Sequence, residues 1–401
     1  MWAPMAGLSP RLALPAFAGA TRLCLWRSGA AAAAAARWKG VPARSRRSLS
    51  GFPPKLAPRE GLRDLPPGVP RSRLESKRYV LSPSLAETVA RLLLRDDGCD
   101  LILEINPGPG ILTRALLQSG ARVIALESDK AFIPHLESLG KELGGKLHVL
   151  HTDFFKLDPR SFGVIKPVVN SKLLFQELGI ETLSWSNGIP LKVVGIFPTK
   201  NEKKMIWKVL HDIYSCTSIY RYGRVQLNLF FNELESQRMM ANPQNPNLYY
   251  ALSVLWQVAY DVKLLHVEPW SSFDISSQSV QQEKPQSKES SEQQVQQNLC
   301  LIQLTPHKDL FSQQLTSVNY DVFFHMTKQC FLKRHGKLID HLTSLSPIDA
   351  MDILKEMDQD KNIKIIDMYP SDFKCLFETI ECSKDHTFKW LYDDFMEDVI
   401  I

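Results

Sequence analysis

Short apolar runs alternate with longer amphipathic stretches between about residues 77 and 200. The runs Leu101–Ile105, Val123–Leu126, Leu147–His151 and Lys192–Ile196 are rich in branched side chains, which predicts buried strands. The stretches between them place apolar residues three or four positions apart, which predicts helices. Strands that alternate with helices pair in parallel and are covered on both faces. The pattern therefore predicts a doubly wound, Rossmann-like α/β domain, which we assign to residues 73–304.

The remainder of the chain has a different pattern. Residues 276–297 are mainly Ser, Gln, Glu and Lys with only two valines, which predicts a disordered insertion in the α/β domain because so little apolar surface is available for burial. Beyond Thr305, the stretches Tyr320–Leu342, Pro347–Met357 and Pro370–Ile380 show helical spacing. We therefore expect a smaller helical C-terminal domain, residues 305–401, that ends in an acidic tail.

The first 47 residues carry eight basic side chains and no Asp or Glu, and they are rich in alanine. Such a cationic segment is typical of a mitochondrial transit peptide, and a disordered Ala-rich tail is the alternative. Residues 48–72 are rich in Pro and Arg, which predicts an extended segment. From this pattern we expect the protein to be located in the mitochondrial matrix.

Charge and cysteine content narrow the function classes. The net charge of +5 comes from the first 47 residues, since the rest of the chain has 40 basic and 43 acidic side chains. Global charge therefore gives no support for nucleic-acid binding, and only a local patch could provide it. The seven cysteines show no C-x-x-C spacing, so we expect neither a metal site nor a disulfide framework. No long apolar run follows the N-terminal region, so no membrane span is expected.

Polar residues follow the first three predicted strands where each strand ends. Asn106–Gly110 ends the first, and Gly108 and Gly110 permit a close backbone approach to a ligand. Glu127 follows the second strand and is suited to accept hydrogen bonds from a ribose, whereas Asp153 follows the third and is suited to an adenine amino group. Each acid alone would be read as a turn residue or a helix cap. Together they predict a nucleoside site, and the lack of a phosphate-binding lysine motif favours an adenosine-methionine cofactor over a nucleoside triphosphate.

The first of these segments has a family likeness. Residues 103–113 read L-E-I-N-P-G-P-G-I-L-T and resemble the first cofactor motif of the ribosomal-RNA adenine N6,N6-dimethyltransferases, L-E-[IV]-G-P-G-x-G-x-L-T. Tyr79-Val80 resembles that family's entry to the cofactor site, and the likeness extends from Lys77 to Ile380. It implies a methyltransferase that depends on S-adenosyl-L-methionine. The residues implied to bind this cofactor are Val80, Asn106, Gly108, Gly110, Glu127 and Asp153.

The catalytic motif of the family, N-[LI]-P-[YF], is degenerate in this chain. The strand ending at Gly195 continues as Ile196-Phe197-Pro198-Thr199, so Ile196 stands in place of the asparagine and Thr199 in place of the aromatic residue. Methylation of an exocyclic amine uses the asparagine carbonyl as an acceptor and the aromatic ring to hold the flipped base. We therefore expect weak methylation, and we expect the place of Phe197 in the motif to direct its ring away from the base.

A local cluster of basic residues predicts a polynucleotide surface. The residues concerned are Lys200, Lys203, Lys204, Arg221 and Arg224. Trp207, Tyr214, Tyr220 and Tyr222 are interleaved with them, and such rings would stack on unpaired bases while the cations follow the phosphates. The alternative is that the lysines form only the solvated face of a helix.

Three functions remain in competition. The resemblance implies a mitochondrial branch whose members act with mitochondrial RNA polymerase and the mitochondrial high-mobility-group DNA-packaging factor on promoter DNA in the nucleoid. The second function is that of a small-subunit ribosomal-RNA adenine dimethyltransferase acting on adjacent adenosines of a hairpin loop. The third is a structural RNA-binding or assembly protein. Residues 196–199 favour a transcription initiation factor with residual methylase activity.

Overall fold

The computed structural model describes residues 78–95, 98–158, 170–198, 202–273, 298–345 and 350–382. Four predicted features lie outside these ranges: the transit peptide (1–47), the extended segment (48–72), the insertion (276–297) and the acidic tail. None of the helices in the described ranges is long and apolar enough to cross a membrane.

Seven strands form one mixed sheet in the described part of the chain. They are β1 (Leu101–Ile105), β2 (Arg122–Glu127), β3 (Leu147–His151), β4 (Lys192–Ile196), β5 (Gln226–Asn232), β6 (Tyr260–Pro269) and β7 (Asn298–Pro306). Their order is β3-β2-β1-β4-β5-β7-β6, so β3 and β6 are the two edges. The first five are parallel, whereas β7 runs antiparallel to both β5 and β6. This topology confirms the predicted doubly wound α/β fold.

The α-helices of the described residues are numbered in chain order. They are α1 (Pro83–Leu93), α2 (Ile111–Gln118), α3 (Ile133–Glu142), α4 (Ser171–Glu177), α5 (Glu202–Tyr214), α6 (Glu233–Met239), α7 (Ala251–Ala259), α8 (Tyr320–Leu332), α9 (Leu338–Leu345), α10 (Ala350–Glu356) and α11 (Pro370–Cys382). Ser82 begins α1 as an N-cap, because its hydroxyl accepts a hydrogen bond from the Leu85 amide. Pro83 occupies the first turn, where its missing N–H has no helical partner to lose.

Two apolar cores cover the two faces of the sheet. Successive residues of a strand point to opposite faces, so Leu103 packs in one core and Ile102 in the other. The core around Ile102 is closed by α1 and α2. The core around Leu103 includes side chains of α5, α7, α8 and α11. Helices from the C-terminal part of the chain therefore share a core with the sheet, and the predicted domain boundary at residue 304 falls within the last strand and stays a prediction.

The stretch Tyr320–Leu342 was expected to be helical throughout, and the structure divides it into α8 and α9. The Gly336 amide donates to the Lys333 carbonyl in a turn, and the Leu338 amide donates to the Ile363 carbonyl. Lys337 forms an isolated antiparallel bridge with Lys364. Here the backbone forms hydrogen bonds to a segment that is distant in sequence. The spacing of apolar side chains does not reveal such bonds.

Candidate cofactor site and degenerate catalytic motif

The turn that follows β1 lies where the strand order reverses, between β2 and β4. Asn106, Gly108 and Gly110 all have positive φ angles, of 47°, 57° and 75°, and Gly110 is the N-cap of α2. The Asn106 amide donates to the Leu126 carbonyl at 2.8 Å, and the Ser128 hydroxyl donates to the Asn106 side-chain oxygen. These bonds hold the turn against the end of β2. Ligands of open α/β sheets bind at this position.

Gly108 admits no side chain. A Cβ atom at this position would lie 2.2 Å from Cδ1 of Tyr79, whose ring packs edge-on against Phe132 at 5.2 Å between ring centres. Tyr79 is 2 % exposed. The segment that carries Tyr79 and the buried Val80 is held in place because the Leu81 amide donates to the Ser272 carbonyl.

Glu127 links the ends of β1 and β2. Its Oε2 accepts a hydrogen bond from the Gly108 amide at 2.8 Å, and its Oε1 accepts one from the Asp129 amide at 2.7 Å. A carboxylate at the end of the second strand is the acceptor that the hydroxyls of a ribose require. Glu127 is completely buried in this structure, so a ribose reaches it only after neighbouring side chains move.

The end of β3 lies beside Glu127, because the Thr152 amide donates to the Glu127 carbonyl at 2.9 Å. Asp153 caps the short 3-10 turn Phe154–Lys156 by accepting from the Phe155 amide at 3.1 Å, and its side chain keeps 23 % of its surface exposed. The buried Thr152 hydroxyl has no hydrogen-bond partner. A half-buried carboxylate next to an unsatisfied hydroxyl provides polar groups that suit an adenine.

Glu104 is a buried acid of this region that sequence reasoning missed. It lies in β1, is 2 % exposed, and accepts a hydrogen bond from the Thr113 hydroxyl at 2.7 Å. Burial raises the pKa of Glu104 to about 8, and the charge of Glu127 adds to the increase. A glutamate inside an otherwise apolar strand was the available signal.

The structure thus brings five of the six predicted cofactor residues together at neighbouring strand ends, and the sixth, Val80, follows Tyr79, whose ring packs at Gly108. The left-handed glycine turn, the acid after β2 and the acid after β3 fit a nucleoside-containing cofactor in their donor and acceptor chemistry. Within the described residues no group of three or more His, Cys, Asp or Glu side chains could hold a metal ion.

The motif Gly195–Pro198 ends β4 next to this site. A Cβ at Gly195 would lie 2.7 Å from the Cβ of Ile105, so only glycine lets β4 pass this close to β1. Phe197 is 3 % exposed; its ring stacks on Phe231 at 4.6 Å and meets Phe155 edge-on at 5.3 Å. The ring is directed into the core, as its place in the motif suggested. Ile196 and Pro198 are half-buried, and Ile196 has no polar side-chain atom.

The predicted basic surface is only partly present. Lys203, Lys204 and Arg221 are exposed, and Lys200, like Thr199, lies outside the described residues. Arg224 does not belong to this surface, because it is 6 % exposed and donates to the carbonyls of three residues. These carbonyls belong to Trp185 at 2.8 Å, Asn187 at 2.6 Å and Pro306 at 3.2 Å.

The aromatic residues between these cations are also not arranged for base stacking. Tyr214, Tyr220 and Tyr222 are all buried, so the expectation that they stack on bases is wrong. The hydroxyl of Tyr220 pairs with that of Tyr260 at 2.6 Å inside the core. Trp207 is half-buried, and the ammonium of Lys328 lies 4.6 Å from its ring centre. The three tyrosine rings fill the apolar core instead.

This chain is similar in sequence to known proteins of one family. A family model described as ribosomal RNA adenine dimethylase matches residues 80–379. A Bos taurus protein named dimethyladenosine transferase 2, mitochondrial, is 55 % identical over 402 residues, covering 100 % of both chains. A Homo sapiens protein of the same name is 52 % identical over 401 residues, covering 99 % of this chain and 100 % of its own. A solved dimethyladenosine transferase from Plasmodium falciparum is 18 % identical, covers 74 % of this chain and 95 % of its own, and gives a TM-score of 0.49.

Proposed function

The chain belongs to the ribosomal RNA adenine dimethylase family, and from that premise we propose that it acts as a mitochondrial transcription initiation factor. In this role it helps mitochondrial RNA polymerase to melt promoter DNA, together with the high-mobility-group DNA-packaging factor, in the nucleoid of the matrix. The methyltransferase fold then serves mainly as a scaffold. S-adenosyl-L-methionine is the proposed cofactor of a residual methylase activity, and it would supply the methyl group.

The observation that carries this proposal is the state of the catalytic motif. Ile196 offers no acceptor to the amino group of an adenine, and the ring of Phe197 is stacked on Phe231 inside the core. The fold and most residues of the predicted cofactor motif are retained, with Asn106 in place of a glycine, whereas the asparagine and the aromatic ring of the catalytic motif are replaced by Ile196 and Thr199. Such a combination favours a binding role for the fold over efficient catalysis.

The likeness to relatives supports the mitochondrial part of the proposal. The two mammalian relatives above carry the word mitochondrial in their names. Within the family, the segments 106–110, 126–140, 153–160 and 268–274 resemble the second mitochondrial transcription factor B paralogue, which is also called mitochondrial dimethyladenosine transferase 2. The polymerase, packaging factor and promoter DNA are proposed as partners on this resemblance.

A second candidate function is dimethylation of adjacent adenosines in small-subunit ribosomal RNA. It is favoured by the two acids predicted to bind a nucleoside, Glu127 at the end of β2 and Asp153 at the end of β3. In this case proximity and orientation would carry the reaction without the asparagine and the aromatic ring.

Promoter-directed run-off transcription separates the two functions. Purified mitochondrial RNA polymerase and packaging factor are assayed with and without the full chain, on closed promoter DNA and on a template melted beforehand. A melting factor is required on the closed template and largely dispensable on the melted one. If the protein changes the output of neither template, the transcription proposal fails, and methyl transfer to a ribosomal-RNA hairpin becomes the leading function.

Restoring the motif tests the chemical part of the proposal. The double variant Ile196→Asn with Thr199→Tyr should raise methyl transfer to a ribosomal-RNA hairpin by about thirtyfold or more, because base stacking and a positioned acceptor each contribute at least about 1 kcal/mol. The matched control is Ile196→Val with Thr199→Ser, which should leave the rate unchanged. If wild type already matches the double variant, the degenerate motif is not what limits methylation.

A further inference from the structure

An open groove of about 540 Å³ lies between the start of α7 and the loop that joins α8 to α9. The groove is lined by Tyr250, Phe331, Leu332, Lys333, Arg334 and His335, and we call it the basic groove. The loop forms its floor because the chain turns at Gly336 and bonds to residues 363–365, as described above.

The cations of this groove are held by neutral groups. The Arg334 guanidinium lies 4.9 Å from the ring centre of Tyr250 and donates to the Pro246 carbonyl at 3.1 Å. The Lys337 ammonium, at the end of the same loop, donates to the side-chain oxygen of Asn362 at 2.9 Å. These three partners are uncharged, so they do not neutralise the positive charge of the loop. This charge attracts carboxylates or other anions.

Apolar surface accompanies the charge. Leu332 is 75 % exposed and Tyr250 is 45 % exposed, so both present large apolar side chains to solvent beside the cations. A ligand that suits this surface combines acidic groups with aromatic or aliphatic ones.

The C-terminal segment of the chain has this composition. Residues 390–401 read W-L-Y-D-D-F-M-E-D-V-I-I, with four carboxylates, three aromatic residues and no basic side chain. Charge and apolar content therefore both match the basic groove.

The segment is also long enough to reach the groove. Helices α8 and α11 pack antiparallel, since Phe331 stacks on Phe373 at one end and Asn319 donates to Glu381 at the other. Cys382 is therefore about one helix length from the groove, or about 20 Å for thirteen residues. The eleven residues from Cys382 to Asp393 span up to about 36 Å when extended.

We propose that residues 390–401 bind in the basic groove of their own chain. The acids at positions 393 and 394 face Lys333 and Arg334, and the aromatic side chains cover Leu332 and Tyr250. Tethering gives the segment an effective concentration of about a millimolar, so contacts that are individually weak suffice. The bound segment excludes other acidic ligands from the groove, and it is released as ionic strength rises.

Photo-crosslinking in the full chain tests this contact. Leu332 is replaced by benzoylphenylalanine, and the crosslinked peptides are identified by mass spectrometry. The control places the same group at Leu173 in α4, which is 61 % exposed and does not line the groove. We expect crosslinks from position 332, and not from position 173, to residues 390–401, with a yield that does not change on dilution.

Charge reversal makes the test specific. Lys333→Glu with Arg334→Glu should lower the yield about tenfold, as should Asp393→Lys with Asp394→Lys, and the fourfold variant should recover it. The proposal is overturned if position 332 captures no peptide from residues 390–401, or only a peptide from a second copy of the chain. It is also overturned if single-stranded DNA crosslinks to position 332 equally well with and without residues 390–401, since the groove is then an uncovered nucleic-acid surface.

Discussion

Replacing Glu104 by glutamine should stabilise the protein, increasingly so as pH rises. Glu104 is buried in β1, with the Thr113 hydroxyl as a hydrogen-bond donor and the charge of Glu127 nearby. Burial is the main cause that raises its pKa from 4.5 to about 8. A glutamine keeps the oxygen that accepts from Thr113 and does not titrate, so the substitution removes the ionisation and little else.

The sign and size of the effect follow from the two pKa values. Between the unfolded pKa near 4.5 and the folded pKa near 8, the folded state holds a proton that the unfolded state has lost, so the stability of the wild type falls as pH rises. Each pKa unit corresponds to about 1.4 kcal/mol. The advantage of Glu104→Gln should therefore grow from near zero at about pH 4.5 to about 4–5 kcal/mol, and level off above about pH 8.

Urea unfolding followed by tryptophan fluorescence, at several values between about pH 4.5 and about pH 9, measures this difference. Groups that titrate alike in both proteins cancel when the two free energies of unfolding are subtracted. Glu137→Gln, at an exposed position in α3, is the matched control and should give a flat difference. Glu127→Gln removes the neighbouring charge and should lower the pKa of Glu104 in the folded state. The pH range over which the stability falls should then be narrower. A difference between Glu104→Gln and wild type that does not vary with pH would refute the reasoning.

Two further substitutions test packing and hydrogen bonding by the same unfolding measurement. Gly108→Ala should cost about 2–4 kcal/mol, because the new Cβ meets Tyr79, whereas Gly98→Ala has a similar φ of 68° but open space and should cost only about 1 kcal/mol of backbone strain. Equal losses at the two glycines would show that the ring yields freely. Arg224→Met should cost about 3 kcal/mol or more, since buried carbonyls lose their donor, and exposed Arg221→Met should cost under about 0.5 kcal/mol. A loss at Arg224 no larger than that at Arg221 would contradict a structural role for its three bonds.

Strand ends were the most predictable part of the site. Gly108, Glu127 and Asp153 each follow an apolar run, and parallel pairing brings the carboxyl ends of β1, β2 and β3 together. Assigning the strands from the local pattern was therefore enough to predict that these three residues lie close together. The same reasoning applied to Phe197, because its position within the motif fixed the direction of its side chain once the strand was assigned.

Arg224 and its neighbouring tyrosines were harder to predict, because charge and aromatic character do not reveal burial. The partners of Arg224 are carbonyls 37 to 82 residues away in sequence, and backbone carbonyls have no sequence signature. The break between α8 and α9 has the same origin, since it depends on backbone bonds to residues 363–365. Features that depend on backbone groups distant in sequence cannot be predicted from periodicity and composition.

The two edge strands of the sheet bear on how the chain avoids self-association. A sheet with five parallel strands requires many contacts between distant segments, so it folds slowly and leaves strand edges unpaired for longer. At one edge, β3 is only five residues long and exposes His148 and His151. At the other, Lys263 of β6 is exposed and pairs with Asp261 at 2.5 Å. A short strand and charged side chains discourage pairing with a second chain, so both edges oppose aggregation while the fold is completed.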